Sequence, residues 1–461
     1  MRTRAITLPL FALFIIIVIG FVPTASVLSS SSNSTPFLFT VAQRYEPLAW
    51  IRGTDRFSSS AVIFVQDSSG RHPLIPSFAA SADPSVSFDA KSVLFAGKQK
   101  TQDQWQIWEV ALTGGAPRRV TSCAEDCVRP FYLPDERIVY GTKRGGRFVI
   151  EAAHLATGKT VPSIVQLTYG PGNFLPTDVL HDGRILFEAA YPLGSNGTPE
   201  LYTVYSDGSG VESYRCDHGH ARHSGKQDAL GDIVFASGLG SNLARFTSAR
   251  AQEVHIAAPT GEYAGDAAET SSGDWLLAWR PDAKSYFQVK RWKPGAGSLL
   301  SVSEEQGTNA IQPTLVVERA VPNRHPSGLH DWPNANLLCL NAYTSKYKFA
   351  AGSIHSVRLY TRDNTGTPKL LGTAPVERDG SFFVQVPTEQ PLQIALLDGS
   401  GKTLKRQAGW FWMRRGEQRG CVGCHAGPET APENAVPMVL LKSTTPVDMT
   451  GTSAHASSGG H

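Results

Sequence analysis

Between about Tyr45 and Val316 one arrangement of residues returns at intervals of about 42 to 49 positions, and this period constrains the fold more than any other feature. Each copy has a polar opening, a turn rich in Asp and Gly, a β-branched or aromatic strand and a second strand ending in polar residues. The copies are PSVSFDAKSVLFAGK (84–98) with its continuation WQIWEVALTGGAPRRVT (105–121), RPFYLPDERIVYGTK (129–143), PTDVLHDGRILFEAA (176–190), KQDALGDIVFASG (226–238) and a weaker ETSSGDWLLAWR (269–280). Their turns fall near Asp89, Asp135, Asp182, Gly231 and Gly273. That spacing is the length of a four-stranded propeller blade. Asp and Gly between two apolar runs admit the backbone of a tight hairpin, and alternation such as Ile185 and Phe187 buries one strand face. Residues 49–75 and those beyond Gly307 are left over, and they predict a sixth blade built from both ends that closes the ring.

The expected fold is therefore all-β: a propeller of about six blades over 45–315. The copies resemble TolB-like propeller repeats over about 270 residues. That resemblance implies the fold and leaves function open, because propellers host binding, docking and catalysis alike.

After Val316 the period breaks. NRHPSGLHDW (323–332) reads as a polar connection, and VRLYTR, PKLLGTAPV, GSFFVQVP and LQIALLD then alternate as strands of a compact antiparallel, β-sandwich-like domain over 316–398. Residues 399–445 are expected to form a short c-type-haem-binding segment. Residues 446–461 are expected to be a disordered tail, with His455 and His461 solvated.

At the other end, Arg2 and Arg4 precede an uncharged apolar run from Ala5 to about Val22 and then Thr24-Ala25-Ser26. Residues 1–26 read as a secretory signal peptide or an uncleaved membrane anchor. The expected location is periplasmic or secreted, with anchoring left open, and disulfides are permitted there. Cys123 and Cys127 could bridge or remain thiols. With 43 Lys+Arg against 40 Asp+Glu, the chain lacks the positive excess that phosphate binding requires, so nucleic acid is not an expected partner.

The sharpest chemical motif is CVGCH, Cys421 to His425. Two thiols three residues apart reach the two vinyl groups of one porphyrin, and the adjacent imidazole can ligate the iron. One covalently attached haem c is expected on Cys421, Cys424 and His425, with His425 as the iron ligand. A disulfide or half of a zinc site is the competing reading. Met438, in VPMVL, is a candidate for the other axial position or an ordinary core residue. Upstream, GWFWMRRGEQRG (409–420) offers Trp410 and Trp412 as an apolar wall and Arg414, Arg415 and Arg419 as propionate partners; each could equally serve packing or the surface. CDHGHARH places Cys216, His218, His220 and His223 within eight residues. In an extended loop these could hold a second metal, approach the haem or simply be polar surface. His325 and His330 in the connection invite the same readings.

The stretch from NLLCLNAY through GSIHSVRLY, APVERDGSFFVQVP, QIALLDGSGKTLK and WMRRGEQRGCVGCH resembles the middle domain of hydrazine synthase alpha-subunit proteins, in which a propeller precedes a β domain bearing a c-type haem. The resemblance spans roughly 316–441 and implies the same domain order and cofactor. With one CxxCH, the chain is expected to be a single-haem protein for electron transfer or small-ligand redox chemistry. Its partner would be a redox protein or a small molecule, and haem-dependent oxidoreductase activity is left open. The alternative is a propeller that binds a protein or saccharide and carries the haem as a structural or sensing group. A hydrolase is disfavoured, since no GxSxG, HExxH or GxxxxGK[ST] occurs.

Overall fold

The computed structural model describes residues 35–57, 60–155, 163–190, 197–215, 217–249, 251–362, 366–423 and 435–451. The leader at 1–26, Cys216, Cys424, His425 and the tail beyond Gly451 lie outside the described residues.

Six antiparallel sheets follow one another along the chain and form the propeller. The inner strands of blades 1 to 4 are Ala80–Val86, Cys127–Leu133, Asn173–Val179 and Arg222–Gln227. In blade 5 the inner edge is split into Glu262–Tyr263 and Ala268–Glu269, both pairing with Trp275–Arg280, which explains why this copy is the weakest in sequence. Blade 6 joins Asn309–Leu315 to Phe37–Ala42, Val62–Asp67 and Gly70–Pro73. The two ends of the propeller thus close the ring, as the leftover segments predict. The closing strand starts at Phe37, ahead of the expected boundary at 45, because Phe37, Leu38 and Phe39 are fully buried against neighbouring blades.

The inner strands share a device that the strand pattern does not reveal. Pairing shifts register between Ala82 and Ser85, Val128 and Phe131, Pro176 and Asp178, and His223 and Lys226. At or near these bulges Asp83, Arg129 and Ser224 have positive φ, and so do Asp266 and Gln312 in blades 5 and 6. A bulge re-aims a side chain out of the pleat. Here the re-aimed groups bond blade to blade: Asp83 N–H donates to Gln312 Oε1 (3.1 Å), Arg129 N–H to Asp83 Oδ2 (3.0 Å), and Ser224 N–H to Glu188 Oε2 (3.1 Å). Arg129 also pairs with Asp266 at 3.3 Å and Glu188 at 3.7 Å. Charges this deeply buried are tolerated only when paired, so removing one partner strands the other.

Two further segments pack on the propeller. Residues 45–57 lie where the inner strands begin, with a 3-10 turn at Trp50–Arg52 ended by left-handed Gly53. Arg56 donates to Tyr45 Oη at 2.9 Å and is packed against the Tyr45, Trp50 and Phe57 rings. At the opposite end the connection crosses blades 1 to 3: Arg319 N–H donates to Phe88 O, Asn323 N–H to His181 O, Arg324 pairs with Asp135, and Ser327 donates to Asp207. The cavity between Asp83, Arg129, Lys226, Asp266 and Gln312 is only ≈ 20 Å³, about the space of one water.

The second domain is a two-sheet sandwich. One sheet runs Gln418–Cys421, Ala335–Cys339, Phe382–Val386, Val447–Asp448; the other runs Pro368–Pro375, Ser356–Arg362, Gln393–Leu397, Thr403–Arg406. Its first sheet is not purely antiparallel, since Gln418–Cys421 and Val447–Asp448 add as parallel edges. Thr403–Arg406, Gln418–Cys421 and Val447–Asp448, all after 398, are therefore integral strands of the sandwich. The tail expected at 446–461 is ordered through its described part: Val447–Asp448 pairs with Val384–Gln385, and Met449 is buried against the core. Strands of two and four residues carry too little alternation to be recognised from sequence.

Candidate functional site

Cys421 ends its strand in register with Cys339, which is in register with Phe382. Leu340 N–H donates to Cys421 O at 2.9 Å, and Ala342 N–H donates to Gly380 O at 2.9 Å, so the chain leaving Cys339, the chain leaving Cys421 and the chain entering Phe382 converge at one end of the sheet. The chain leaving Cys421 is held close there: a Cβ on Gly423 would fall 2.2 Å from Thr344 O and 2.9 Å from Asn341 O.

The short helix Met438–Lys442 is anchored at the same end. Its Met438 N–H donates to Asp379 Oδ2 (2.7 Å) and Val439 N–H to Ser381 Oγ (3.0 Å), one residue before Phe382. Burial opposes the Asp379 charge, but the Met438 N–H and the Ser381 hydroxyl and N–H outweigh it and hold this carboxyl below its usual range. No residue of the helix is buried. Met438 is thus not an ordinary core residue; it is half-exposed at the sheet end that presents Cys421. Val422, Val436 and Leu441 are exposed, at 43%, 63% and 72%. Apolar side chains flank the 424–434 segment on both sides and are not covered by described protein atoms. Burial pushes the Cys421 thiol above its ordinary value, with Arg419 acting in the opposite sense.

A porphyrin needs two thiols at this spacing, an imidazole and an apolar surface. The described part of the motif supplies the first thiol, at the end of a strand and next to exposed Val422; that part of the set fits the group, and the other two residues lie outside the described residues.

The tryptophans and two of the three arginines expected around the porphyrin are used elsewhere. Trp412 is fully buried, donates from Nε1 to Leu167 O at 3.0 Å, and meets the Phe174 ring edge-on at 5.5 Å. Trp410 belongs to the same core. Arg414 donates to Gln166 O (3.1 Å) and to Tyr169, and pairs with Glu389. Arg419 donates to Val211 O and Trp412 O and pairs with Glu417, whose carboxylate accepts Gly210 N–H at 3.1 Å. These groups fasten the sandwich to blades 2 and 3, because a polar side chain beside a buried seam is best satisfied by the carbonyls that the seam exposes. Arg415 alone of the three is exposed.

Among the described residues, His218, His220 and His223 do not come together. His218 Nδ1 lies 2.6 Å from Glu200 Oε2, with its ring near Gly409 at the domain junction. His220 is exposed, and His223 sits on the inner strand, 0% exposed in the channel. Burial, aided by Arg56, pushes His223 down to about 3. Among the described residues no group of three or more His, Cys, Asp or Glu side chains could hold a metal ion. His325 stacks on Tyr205 at 3.9 Å and His330 on Trp332 at 4.8 Å. The channel ring was missed by sequence reasoning, although Asp83-Pro84, Arg129-Pro130 and Gln312-Pro313 repeat at the blade period.

The class defined by this arrangement is a six-bladed β-propeller fused to a two-sheet domain with Cys421 at one sheet end. Residues 341–426 match the family model of the hydrazine synthase alpha subunit middle domain. Hydrazine synthase from Kuenenia stuttgartiensis superposes with a TM-score of 0.76 at 17% identity, over 88% of this chain and 71% of that one. TolB from Acinetobacter baumannii is also similar, with a TM-score of 0.46 and 14% identity over 61% of this chain and 66% of that one. No curated protein matches the chain. The propeller-plus-middle-domain architecture is thereby shared with the hydrazine synthase alpha subunit.

Proposed function

We propose that the protein is an extracytoplasmic c-type haem protein with one haem, serving electron transfer or small-ligand redox chemistry. Cys421 and Cys424 would hold the porphyrin as thioethers and His425 would ligate the iron. Such a group supplies a one-electron couple and, where an axial position is open, a ligand-binding site. The carrying observation is the placement of Cys421, the first thiol of CVGCH, at a sheet end bordered by uncovered apolar side chains.

The protein's own residues have defined tasks in this reading. The parallel pairing with Ala335–Cys339 fixes the direction in which the motif leaves the sheet, and the Asp379–Ser381 clamp fixes the helix bearing Met438 beside it. The high affinity of the Cys421 thiol for its proton makes it a poor nucleophile once folded; attachment is expected before the domain closes. An oxidising location is supported by the Cys123–Cys127 disulfide and by the leader's Arg-then-apolar pattern. The rival reading, a ligand-binding propeller, is not favoured at the channel, whose cavity is only ≈ 20 Å³.

The test is expression with a haem-c maturation system, followed by the pyridine haemochrome spectrum of the wild type and of Cys424→Ala. A two-thioether spectrum that changes in the variant is expected. Absence of covalent haem would overturn the reading. If ferrous protein changes its spectrum with carbon monoxide, the iron has an open or weakly held position; if it does not, electron transfer is the role.

A further inference from the structure

The geometry points to a binding site for a neutral saccharide on blades 5 and 6 of the propeller, and this site does not rest on the haem reading. A surface cavity of ≈ 350 Å³ lies between the turn after Trp275–Arg280 and the loop that enters Asn309–Leu315. Its lining is Ser285, Tyr286, Gln288, Glu304, Glu305 and Gln306, none of which belongs to the channel ring. That volume falls at the lower end of the ~300–1,000 Å³ typical of small-molecule sites. The walls are fixed in advance. Gln288 Nε2 donates to Glu305 O (3.1 Å) and Thr308 O (3.0 Å), and Gln288 Oε1 accepts Glu305 N–H at 2.6 Å. On the other wall, Asp282 Oδ1 accepts the N–H groups of Lys284 (2.9 Å) and Ser285 (3.1 Å) and so holds the turn that carries Tyr286.

Two side chains of this lining have no task in the fold. Tyr286 is 45% exposed and Gln306 is exposed, and neither side chain makes a hydrogen bond or ring contact among the described residues. A tyrosine offers an apolar face with a polar tip, and a glutamine amide offers two donors and an acceptor. Charge narrows the class of ligand. Glu304 pairs with Lys290 at 3.5 Å and accepts the Ser301 hydroxyl, both through Oε1, while Glu305 pairs with Arg71. A cation would therefore meet carboxylates that are already neutralised, and an anion would meet Glu304, Glu305 and Asp282. A wholly apolar ligand would cover Gln306 and Glu304 without replacing their hydrogen bonds to water. A sugar ring avoids all three penalties: it is uncharged, its C–H face packs on the Tyr286 ring, and its hydroxyls can bond the Gln306 amide and the Glu304 carboxylate.

The test is ligand-observed saturation-transfer NMR and isothermal titration calorimetry on the full chain. The probes are cellotriose, maltotriose and triacetylchitotriose, with trilysine as the charged comparison. At least one trisaccharide should bind, with a Kd of about 1 mM for so open a site. Tyr286→Ala should weaken that binding by roughly tenfold and Gln306→Ala by less, whereas Tyr286→Trp should retain it because the aromatic face is kept. Both positions are exposed, so the variants should keep the wild-type Tm. No binding of any of the three sugars at roughly ten times the expected Kd would overturn the inference. Sugar binding that Tyr286→Ala leaves unchanged would also overturn it, by placing the sugar elsewhere. So would trilysine binding in place of the sugars, lost in Tyr286→Ala, which would make this a cation site. None of these readouts involves the haem, so a colourless chain that binds the sugar sinks the haem reading alone.

Discussion

His223 shows how a residue's chemistry follows from where the fold puts it. Within CDHGHARH it looks equivalent to His218 and His220, but the strand carries it into the channel, where it is held neutral with its pKa at about 3. A histidine with a depressed folded pKa takes up a proton on unfolding, so it lowers stability as pH falls. The loss begins below the ordinary value of about 6.5 and continues to about 3, at roughly 1.4 kcal/mol per pH unit. Urea unfolding between pH 4 and 7 should show this slope, and His223→Gln should flatten it; an unchanged slope would mean that His223 is accessible to protons when folded. CVGCH stands out in the sequence because the spacing that thioether attachment would require lies within five residues and needs no knowledge of the fold. The roles of Trp412, Arg414 and Arg419 were not, because a Trp or Arg near such a motif suits a pocket wall and a domain seam equally well until the partner carbonyls are located.

At the scale of elements, the blades were legible because hairpin turns and two-residue alternation repeat in each, whereas the bulges that aim Asp83, Arg129 and Gln312 inward break that alternation. The short helix Met438–Lys442 illustrates the opposite difficulty. Five residues form a helix here only because Asp379 and Ser381 satisfy its first N–H groups. Asp379→Ala should release it, at a cost of about 1.5–3 kcal/mol locally for a charge-assisted hydrogen bond. Hydrogen exchange should rise across 438–442 and stay unchanged in the propeller. Because the folded Asp379 pKa is depressed, this stabilisation is complete above the ordinary carboxylate range and is lost as pH falls through the lower, folded value. Protection of 438–442 that survives in the variant would show that side-chain packing holds the helix.

On the whole-molecule scale, propeller and sandwich pack as one unit through a seam centred on Trp412. Burial of a large aromatic at such a seam sets its strength: Trp412→Ala should lower stability by about 3–5 kcal/mol and let the sandwich unfold separately. Calorimetry should then resolve two transitions where the wild type has one. A single transition in the variant would show that Arg414 and Arg419 suffice to couple the domains. The domain order was legible from the break in period after Val316; the seam was not, because it joins residues more than two hundred positions apart.

The central claim, that this scaffold carries porphyrin on the pentapeptide Cys421 to His425, is tested most directly by intact and peptide mass spectrometry of protein matured in a haem-c-competent host. One haem mass per chain, located on the peptide containing Cys421 and Cys424, is the expected result. A matured chain with no added mass there, or with the added mass on another peptide, would contradict it.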